Sequence, residues 1–365
     1  MIAFLSCAVW IYLVLAHGRF WQSGPELSPS VPAVLPEVDI IVPARDEAET
    51  IGSVIASLLN QDYPGRFRVV LVDDNSTDAT AARAGTAANL EIIRGAPKPD
   101  GWSGKLWAIH QGVAASRAPL LLFTDADIVH DPRHLSSLIA RLQQPRAEMV
   151  SEIVRLNCVS LAERALVPAF VYFFQLLYPF ASVNDPGSRI AAASGGVVLI
   201  RRETLDRIGG IGSIRSALID DVTLARAVKQ LGPIYLGHTD LAASVRPYPH
   251  FADIWKLITR TAFTQLRYSL VLLLLTLAGL TIVWLVPVWA AFSGYGAARV
   301  AGCCAYGLSA LSYVPTLRRY RQSPLVALAM PLIALFYMAA TIGSAFNHWF
   351  GRGVSWKSRA YREER

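Results

Sequence analysis

Two aspartates, Asp125 and Asp127, directly follow an apolar run in the segment LLLFTDADI, residues 120–128. Buried or half-buried carboxylates need a partner, because removing a negative charge from water is costly. A divalent cation, a basic side chain or water at a strand end could each neutralise this pair. The residues elsewhere in the chain have to distinguish these three possibilities.

A second acidic pair, Asp73 and Asp74, ends the apolar run FRVVLVDD and is followed by Asn, Ser and Thr. A carboxylate at this place can accept a hydrogen bond from a uracil ring nitrogen or from ribose hydroxyls. A simple capping turn before the next helix is the alternative. Taken with Asp125 and Asp127, however, oxygen ligands on neighbouring strand ends suit Mg²⁺ or Mn²⁺ bridging two phosphates.

A third acidic pair, Asp220 and Asp221, begins the segment DDVTLARAVKQLG, whose apolar residues recur at helical spacing. These carboxylates could simply complement the positive end of the helix dipole. One of them could instead act as a general base, because an ionised carboxylate can accept a proton from a reacting hydroxyl.

Alternating strands and helices must position these acids. Apolar runs with strand character alternate with helical patterns, and such alternation predicts an α/β fold with a mostly parallel, Rossmann-like sheet. Ligands of such sheets bind at the carboxyl ends of the strands, where these aspartates are expected. The strands are predicted at residues 38–44, 67–74, 90–95 and 119–127, and the helices at 49–61 and 105–117.

The composition indicates membrane segments as well. Of 365 residues, 53% are hydrophobic, which is high for a soluble protein. Residues 270–292, 297–315 and 324–346 are each long enough, or nearly so, to cross a bilayer. The run at 2–16 favours an uncleaved anchor over a signal peptide, because no Lys or Arg precedes it. The net charge of +7 would suit nucleic acid, nucleotide phosphates or anionic lipid.

Five parts of the chain follow from these patterns. An apolar stretch at 165–183 lies within the predicted sheet domain, where a full crossing would split the sheet, so an interfacial helix is expected there. The predicted parts are an N-terminal transmembrane anchor (1–20), a Pro-rich linker (21–37), the sheet domain (38–268), a C-terminal membrane region (269–346) and a basic tail (347–365).

Five segments in order, IIVPARDEAETIGSVIASL, VVLVDDNSTDAT, GKLWAIHQG, FTDADI and DDVTLARAVKQLG, resemble the family 2 glycosyltransferases. That resemblance implies a GT-A nucleotide-diphospho-sugar transferase fold. The anchor, the segment FTQLRYS and the tail GRGVSWKSRAYR more narrowly resemble the membrane-bound hopene-associated glycosyltransferases, relatives of the ceramide glucosyltransferases.

The resemblance implies a metal-dependent, inverting hexosyltransferase. It would move a sugar from a nucleotide-sugar donor to a lipid acceptor such as a hopanoid, using Mg²⁺ or Mn²⁺ and no nucleic acid. The chain would be a multi-pass protein of the cell (inner) membrane with a cytoplasmic catalytic domain. A catalytically inactive scaffold or sugar-binding subunit is the alternative, against which the intact acidic motifs argue.

The resemblance also assigns roles to residues. Asp221 would be the general base, and Asp46 departs from the Asn usual in the family. Donor binding would involve Pro43, Arg45, Glu47, Asp74, Lys105 and Asp125; the metal, Asp125 and Asp127; catalysis, Asp221 with Asp220, Gln265 and Arg267; and the acceptor side, Gly195, Gly196 and Tyr268.

The basic residues near the C-terminus complicate the predicted topology. Basic segments tend to remain cytoplasmic, yet the apolar run at 324–346 separates two of them. Pro331 could mark a re-entrant hairpin that resolves this difficulty. The two segments contain Arg318, Arg319 and Arg321, and Arg352, Lys357, Arg359 and Arg362.

Overall fold

The chain forms two compact units in a computed structural model that describes residues 1–144 and 147–350, and the backbone of two short strands in the tail. The sheet unit contains Pro25–Asn157 and Ser182–Pro247. The helical unit contains Met1–Gly24, Cys158–Ala181 and the described residues from Tyr248 to Phe350. The side chains of the basic tail residues, Arg352, Lys357, Arg359 and Arg362, lie outside the described part.

Strands and helices alternate through the first 244 residues, and helices follow as far as Trp349. The strands are β1 Glu26–Leu27, β2 Val38–Ala44, β3 Phe67–Asp73, β4 Leu90–Arg94, β5 Leu120–Thr124, β6 Ile128–His130, β7 Met149–Arg155, β8 Val197–Arg201, β9 Ile234–Ser244, β10 Val354–Trp356 and β11 Arg359–Tyr361. The helices are α1 Ile2–Ala16, α2 Ile51–Leu59, α3 Thr80–Arg83, α4 Gly104–Ala115, α5 His134–Gln143, α6 Leu161–Leu177, α7 Phe180–Asn184, α8 Arg202–Arg207, α9 Asp220–Lys229, α10 Phe251–Gln265, α11 Leu270–Leu280, α12 Val286–Ser293, α13 Gly296–Arg319 and α14 Met330–Trp349. Short 3₁₀ segments lie at Ile211–Ile214 and Pro324–Ala329, and a π-helical turn at Thr281–Leu285.

The main sheet has the order β1-β9-β7-β8-β5-β2-β3-β4, with β6 paired to β9. β2, β3, β4 and β5 run parallel, as do β1, β7 and β9, whereas β8 is antiparallel to both β5 and β7. The predicted mostly parallel sheet is therefore confirmed. β1 lies within the segment 21–37, so the segment predicted as a linker contributes an edge strand.

The central strands are buried on both faces, which explains why they read as continuous apolar runs. All seven residues of β2 and all five of β5 are buried. Helix α2 packs on the sheet through Ile51, Val54, Ile55 and Leu58, the face that its spacing predicts. Helix α4 approaches β2 closely at Gly112, where any Cβ would collide with the side chain of Ile41.

Three helices of the helical unit are long and apolar enough to cross a membrane: Leu270–Ser293, Gly296–Arg319 and Pro324–Trp349. They coincide with the three predicted runs. Pro331 lies in the first turn of α14, where a proline is tolerated, and the chain continues helically to Trp349. The re-entrant hairpin considered at this proline is therefore wrong.

Helix α1 has 15 residues and is shorter than a perpendicular span requires. Two of its side chains donate hydrogen bonds to carbonyls of the π-helical turn. The Ser6 hydroxyl reaches Ile282 O at 2.7 Å, and Trp10 Nε1 reaches Val283 O at 2.7 Å. A π turn disturbs the regular hydrogen bonding of a helix. The two side chains donate to carbonyls of this turn, and they thereby connect α1 to the first long span.

Helix α6, predicted as an interfacial helix within the domain 38–268, belongs instead to the helical unit. Its polar side chains bond to the long helices: Tyr172 Oη lies 2.7 Å from Ser312 Oγ, and Gln175 Oε1 accepts from Thr316 Oγ1 at 3.2 Å. Cys158–Ala181, which lie within the domain predicted at 38–268, are thus assigned to the helical unit. Sequence order could not reveal this, because the partners of α6 lie about 140 residues further along the chain.

Candidate active site

The acidic motifs converge at the carboxyl ends of parallel strands. Asp125 and Asp127 follow β5. Asp73 and Asp74 lie at the end of β3, and β2 separates β3 from β5 in the sheet. Asp220 and Asp221 begin α9, and Lys105 lies in the first turn of α4. The strand-end placement predicted from the alternation pattern is therefore observed.

Lys105 joins two of the acidic motifs. Its Nζ lies 2.8 Å from Asp125 Oδ1 and 3.6 Å from Asp220 Oδ2, and it donates to the Gly195 carbonyl at 3.2 Å. Burial lowers the pKa of Lys105, but the carboxylates of Asp125 and Asp220 outweigh burial and raise that pKa above its ordinary value. Lys105 is therefore a fixed positive charge beside an aspartate that remains 36% exposed.

Asp127 has a different basic partner, Arg246, which sequence reasoning missed. Arg246 Nε lies 2.5 Å from Asp127 Oδ2, and its terminal nitrogen lies 2.6 Å from Glu47 Oε1. Arg246 lies two residues beyond β9, which runs in the same direction as β5, so its position after a strand end was an available signal. In this structure, basic side chains neutralise both members of the pair.

The two aspartates also have the chemistry to hold a hard divalent cation. Among the described residues, no three His, Cys, Asp or Glu side chains converge as a metal-binding group. Two carboxylates provide only part of the oxygen shell that Mg²⁺ or Mn²⁺ requires, and these cations commonly complete their coordination with substrate phosphates and water. Asp125 and Asp127 therefore fit a cation that arrives with a phosphate ligand.

Asp221 is held by two backbone amides. Gly195 N donates to its Oδ2 at 2.9 Å, and Val222 N donates to its Oδ1 at 2.7 Å. Burial, followed by the charge of Asp220, raises the pKa of Asp221 to about 7, against the opposing effect of Lys105. A carboxyl group with this pKa can exchange a proton near neutral pH, as a general base must.

One pocket brings the predicted lysine, glycine and acidic pair together. Its polar lining is formed by Lys105, Gly195, Asp220 and Asp221, and its apolar lining includes Phe123 from β5. A Cβ at Gly196 would lie 2.7 Å from the Ile128 side chain, so glycine permits the close approach of this loop to β6. The acceptor-side glycines predicted from sequence thus adjoin the acidic pair.

Hydrogen bonds connect the loop after β2 to the loop after β3. Arg45 donates from one terminal nitrogen to the carbonyls of Asp74, at 2.5 Å, and Asn75, at 3.1 Å. Asp46 accepts from Thr77 N at 2.7 Å and donates its own N–H to Ser76 Oγ at 3.0 Å. Asp46 and Asn75 both have positive φ, at 51° and 55°, a conformation that Asn and Asp tolerate better than most residues. Asp46 thus has a structural role here.

The donor-side residues predicted from sequence share this edge but differ in access. Pro43 and Asp74 are buried, and Asp74 is fully so, whereas Arg45 and Glu47 are partly exposed. The Glu47 N–H donates to Thr80 Oγ1 at 2.8 Å, and this hydrogen bond connects the loop after β2 to the start of α3. A ligand would therefore meet Arg45 and Glu47 before Asp74.

The helical unit contains Gln265, Arg267 and Tyr268. Gln265 is the last residue of α10, and the other two follow it. Gln265 Nε2 donates to Tyr178 Oη at 2.5 Å, and the Tyr268 ring stacks on His348 with centroids 4.4 Å apart. Arg267 and Tyr268 both have positive φ, at 52° and 55°. Their predicted catalytic and acceptor-side roles stay predictions.

Comparison with known proteins agrees with the fold and the motifs. Residues 39–209 match Glycosyl transferase family 2. The 4,4'-diaponeurosporenoate glycosyltransferase of Staphylococcus aureus is 26% identical over 346 residues, covering 88% of this chain and 87% of that protein.

Two further relatives are longer than this chain. The Beta-monoglucosyldiacylglycerol synthase of Nostoc is 24% identical over 289 residues, which cover 73% of this chain and 59% of that protein. The Probable glycosyltransferase YdaM of Bacillus subtilis is 25% identical, covering 54% and 48%. The chain thus spans about half to three fifths of the length of these two.

Among solved structures, the fold is similar to that of the mannosyltransferase PcManGT from Pyrobaculum calidifontis, in complex with GDP-Man and Mn²⁺. The TM-score is 0.58 at 20% identity, with 96% of this chain and 99% of that chain covered. At this identity the likeness concerns the fold. With the sheet order and strand-end acids described above, it follows that this chain has an α/β GT-A fold, in which residues 39–209 match Glycosyl transferase family 2.

Proposed function

We propose that the protein is a membrane-bound, inverting glycosyltransferase that moves a sugar from a nucleotide-sugar donor to a lipid acceptor. The observation that carries this proposal is that Lys105 and Asp221 line one pocket, while the Lys105 Nζ also forms an ion pair with Asp125. A proton acceptor and a site for a diphosphate are thereby placed a short distance apart. Glycosyl transfer needs both, because the acceptor hydroxyl loses a proton while the donor diphosphate gains charge.

The donor side is the edge formed by the loops after β2, β3 and β5. Lys105 and Arg246 place two positive charges beside Asp125 and Asp127, and both could bind phosphate oxygens. Asp125 and Asp127 would hold Mg²⁺ or Mn²⁺ together with the donor diphosphate. When bound, this cation would offset the negative charge that develops on the departing nucleotide.

The acceptor side is the loop at Gly195 and Gly196 with the acidic pair. Asp221, fixed by the amides of Gly195 and Val222, would accept the proton of the attacking hydroxyl. Attack from the face opposite the leaving diphosphate would invert the anomeric centre. Gln265, Arg267 and Tyr268 are proposed to assist catalysis and acceptor binding.

Three features support a lipid acceptor and a membrane location. Three helices are suited to crossing a membrane, and α6 packs with them through aromatic and polar side chains. Two relatives carry lipid names: one is a 4,4'-diaponeurosporenoate glycosyltransferase and the other is a Beta-monoglucosyldiacylglycerol synthase. A hopanoid or related lipid is the proposed acceptor class, at the inner membrane with the donor site facing the cytoplasm.

The experiment that tests this function is a panel reaction. Purified full-length protein is incubated with nucleotide sugars and a membrane lipid extract, with and without EDTA, and lipids are analysed by mass spectrometry. We expect one nucleotide sugar to yield a lipid that is heavier by one hexosyl residue, a hexose less water, and EDTA to abolish the product. Donor binding without any glycosylated lipid would favour the inactive scaffold instead.

Turnover should depend on pH through Asp221. Since burial and Asp220 raise the pKa of Asp221 to about 7, the carboxylate becomes protonated as the pH falls below that value. A protonated base cannot accept the acceptor's proton, so we expect kcat to rise through pH 7 and to be about tenfold below its plateau at pH 6. The measurement is kcat from pH 5.5 to 9.

The Asp220→Asn variant provides a second test of this pH dependence. It removes the neighbouring charge that raises the pKa of Asp221, so the rise in kcat should move to lower pH. A wild-type profile that stays flat down to pH 5.5 would contradict the role given to Asp221.

A further inference from the structure

Four side chains form a continuous hydrogen-bonded relay beneath the candidate site. Glu152 Oε2 lies 2.7 Å from His134 Nε2, and His134 Nδ1 lies 2.8 Å from His130 Nδ1. His130 Nε2 lies 3.0 Å from Thr124 Oγ1. All four residues are buried, with at most 6% of any of them exposed. The relay therefore runs from β7 to the last residue of β5, directly before Asp125.

The relay ends on the acceptor-side loop. Thr124 Oγ1 donates to the Gly196 carbonyl at 3.0 Å, and the same carbonyl accepts from Asp125 N at 3.2 Å. Gly195, the preceding residue, donates to Asp221 and accepts from Lys105. The position of this dipeptide therefore sets the geometry among Asp125, Lys105 and Asp221.

The neighbouring residue of β7 holds the same loop from another side. Ser151 Oγ donates to the Ser194 carbonyl at 3.0 Å and accepts from Ser194 N at 2.8 Å. Ser151 and Glu152 thus both connect β7 to residues 194–196, Ser151 directly and Glu152 through the relay. Two consecutive residues of one strand therefore hold the acceptor-side loop.

The proton positions along the relay follow from hydrogen-bond chemistry. The Gly196 carbonyl can only accept, so its 3.0 Å contact with Thr124 Oγ1 is a hydrogen bond only when the Thr124 hydroxyl proton points to Gly196 O. His130 Nε2 must then donate to Thr124 Oγ1. A neutral imidazole carries one N–H, so His130 Nδ1 is bare and His134 Nδ1 must donate to it. His134 Nε2 is then the acceptor that faces Glu152.

In this proton order, the remaining proton lies on Glu152. Burial lowers the pKa of His134 to about 3, and it lowers that of His130 well below its ordinary value, so both rings are neutral. The bare Nε2 of His134 therefore needs a donor, and a protonated Glu152 is the group that faces it. The opposite proton order, with Glu152 ionised, would draw the Thr124 proton to His130 and leave Gly196 O without it.

We propose that Thr124, His130, His134 and Glu152 are positioning residues, whose proton order holds the Thr124 hydroxyl on Gly196 and thereby fixes Asp221 relative to Lys105 and Asp125. They touch neither donor nor acceptor. The inference rests on the proposed function for the role of Asp221, whereas the proton order stands on the relay geometry alone. Sequence spacing offered one signal, since His130 and His134 are four residues apart.

The kinetic test uses variants matched in shape. Thr124→Val removes the hydroxyl at nearly constant volume, and Thr124→Ser keeps a hydroxyl. We expect Thr124→Val to lower kcat about tenfold while the donor KM stays within about twofold, and Thr124→Ser to restore most of the turnover. The control is Ser136→Ala. Ser136 lies on the same helix as His134, and the variant removes a buried hydroxyl that donates to the Asp62 carbonyl.

Ser136→Ala should lower the unfolding temperature without changing kcat. The proposal is overturned if Thr124→Val keeps kcat within twofold of wild type. It is also overturned if Thr124→Val and Ser136→Ala reduce kcat equally, because the effect would then reflect general stability. Glu152→Gln, whose amide can donate to His134, should retain turnover, whereas Glu152→Leu should lose it.

A second measurement does not depend on activity. The full chain contains seven histidines; nitrogen-15 labelling of these rings, with assignment by single substitution, reports which nitrogen carries the proton. We expect His134 as the Nδ1–H tautomer and His130 as the Nε2–H tautomer. The reverse assignment would overturn the relay even if transfer is observed, whereas the expected assignment without any transfer would refute only the proposed function.

Discussion

Replacement of Asp221 by Asn should reduce turnover by a factor on the order of 10² to 10⁴, while donor affinity changes little. The reason is geometric. The Asp221 carboxylate lines the pocket with Lys105 and is held by two backbone amides, so it is oriented before any substrate binds. Asparagine keeps the shape but cannot take up a proton. The measurements are kcat and the donor dissociation constant of purified protein.

The matched control for this variant is Asp220→Asn. Consecutive residues on a helix point about 100° apart, and in the structure Asp220 faces Lys105 at 3.6 Å whereas Asp221 is held by Gly195. Asp220→Asn should therefore keep appreciable turnover. Unfolding temperatures are recorded for both variants, because the side-chain amide introduced by Asp221→Asn would face one of the two backbone N–H donors. Loss of turnover in Asp220→Asn alone would transfer the role of base to Asp220.

Asp127→Asn should abolish the metal dependence of donor binding while the fold stays intact. Asp127 combines two roles in the proposed site, as an oxygen ligand of the cation and as the ionic partner of Arg246. A neutral amide oxygen is a weaker ligand for a hard cation, so Mn²⁺ should no longer tighten donor binding. The measurement is the donor dissociation constant with Mn²⁺ and with EDTA, for wild type and variant.

The control for Asp127→Asn is Asp206→Asn, which changes an exposed aspartate on α8 of the same unit. It should leave donor affinity and its metal dependence unchanged. If the Asp127 variant binds donor with the wild-type response to Mn²⁺, the cation does not depend on this carboxylate. Arg246, and not a metal, would then be its functional partner.

The sheet and the acidic edge could be predicted from sequence because their signals are local. β2 occupies the predicted residues 38–44, since a strand buried on both faces is a continuous apolar run. Asp125 directly follows β5, and Asp221 lies in the first turn of α9. Both residues could be predicted because the apolar pattern of each element is visible in the sequence. Local pattern and fold agree at these positions.

Long-range partners could not be predicted in this way. Arg246 pairs with Asp127 across 119 residues, and Glu152 completes a relay with histidines that lie 18 and 22 residues earlier. Helix α6 was predicted as an interfacial helix because its apolar character was visible, but its partners on the long helices were not. Such contacts depend on how the chain returns to the same place, which periodicity does not record.

The most direct test of the central claim follows a labelled sugar from donor to lipid. The full-length protein is given the nucleotide sugar identified in the panel, labelled in the sugar, with acceptor lipid and Mn²⁺, and label is counted in the organic phase. We predict that label enters a single lipid product of inverted anomeric configuration, and that Asp221→Asn binds the donor but transfers no label above background. Transfer by Asp221→Asn at the wild-type rate, or a product of retained configuration, would contradict the account.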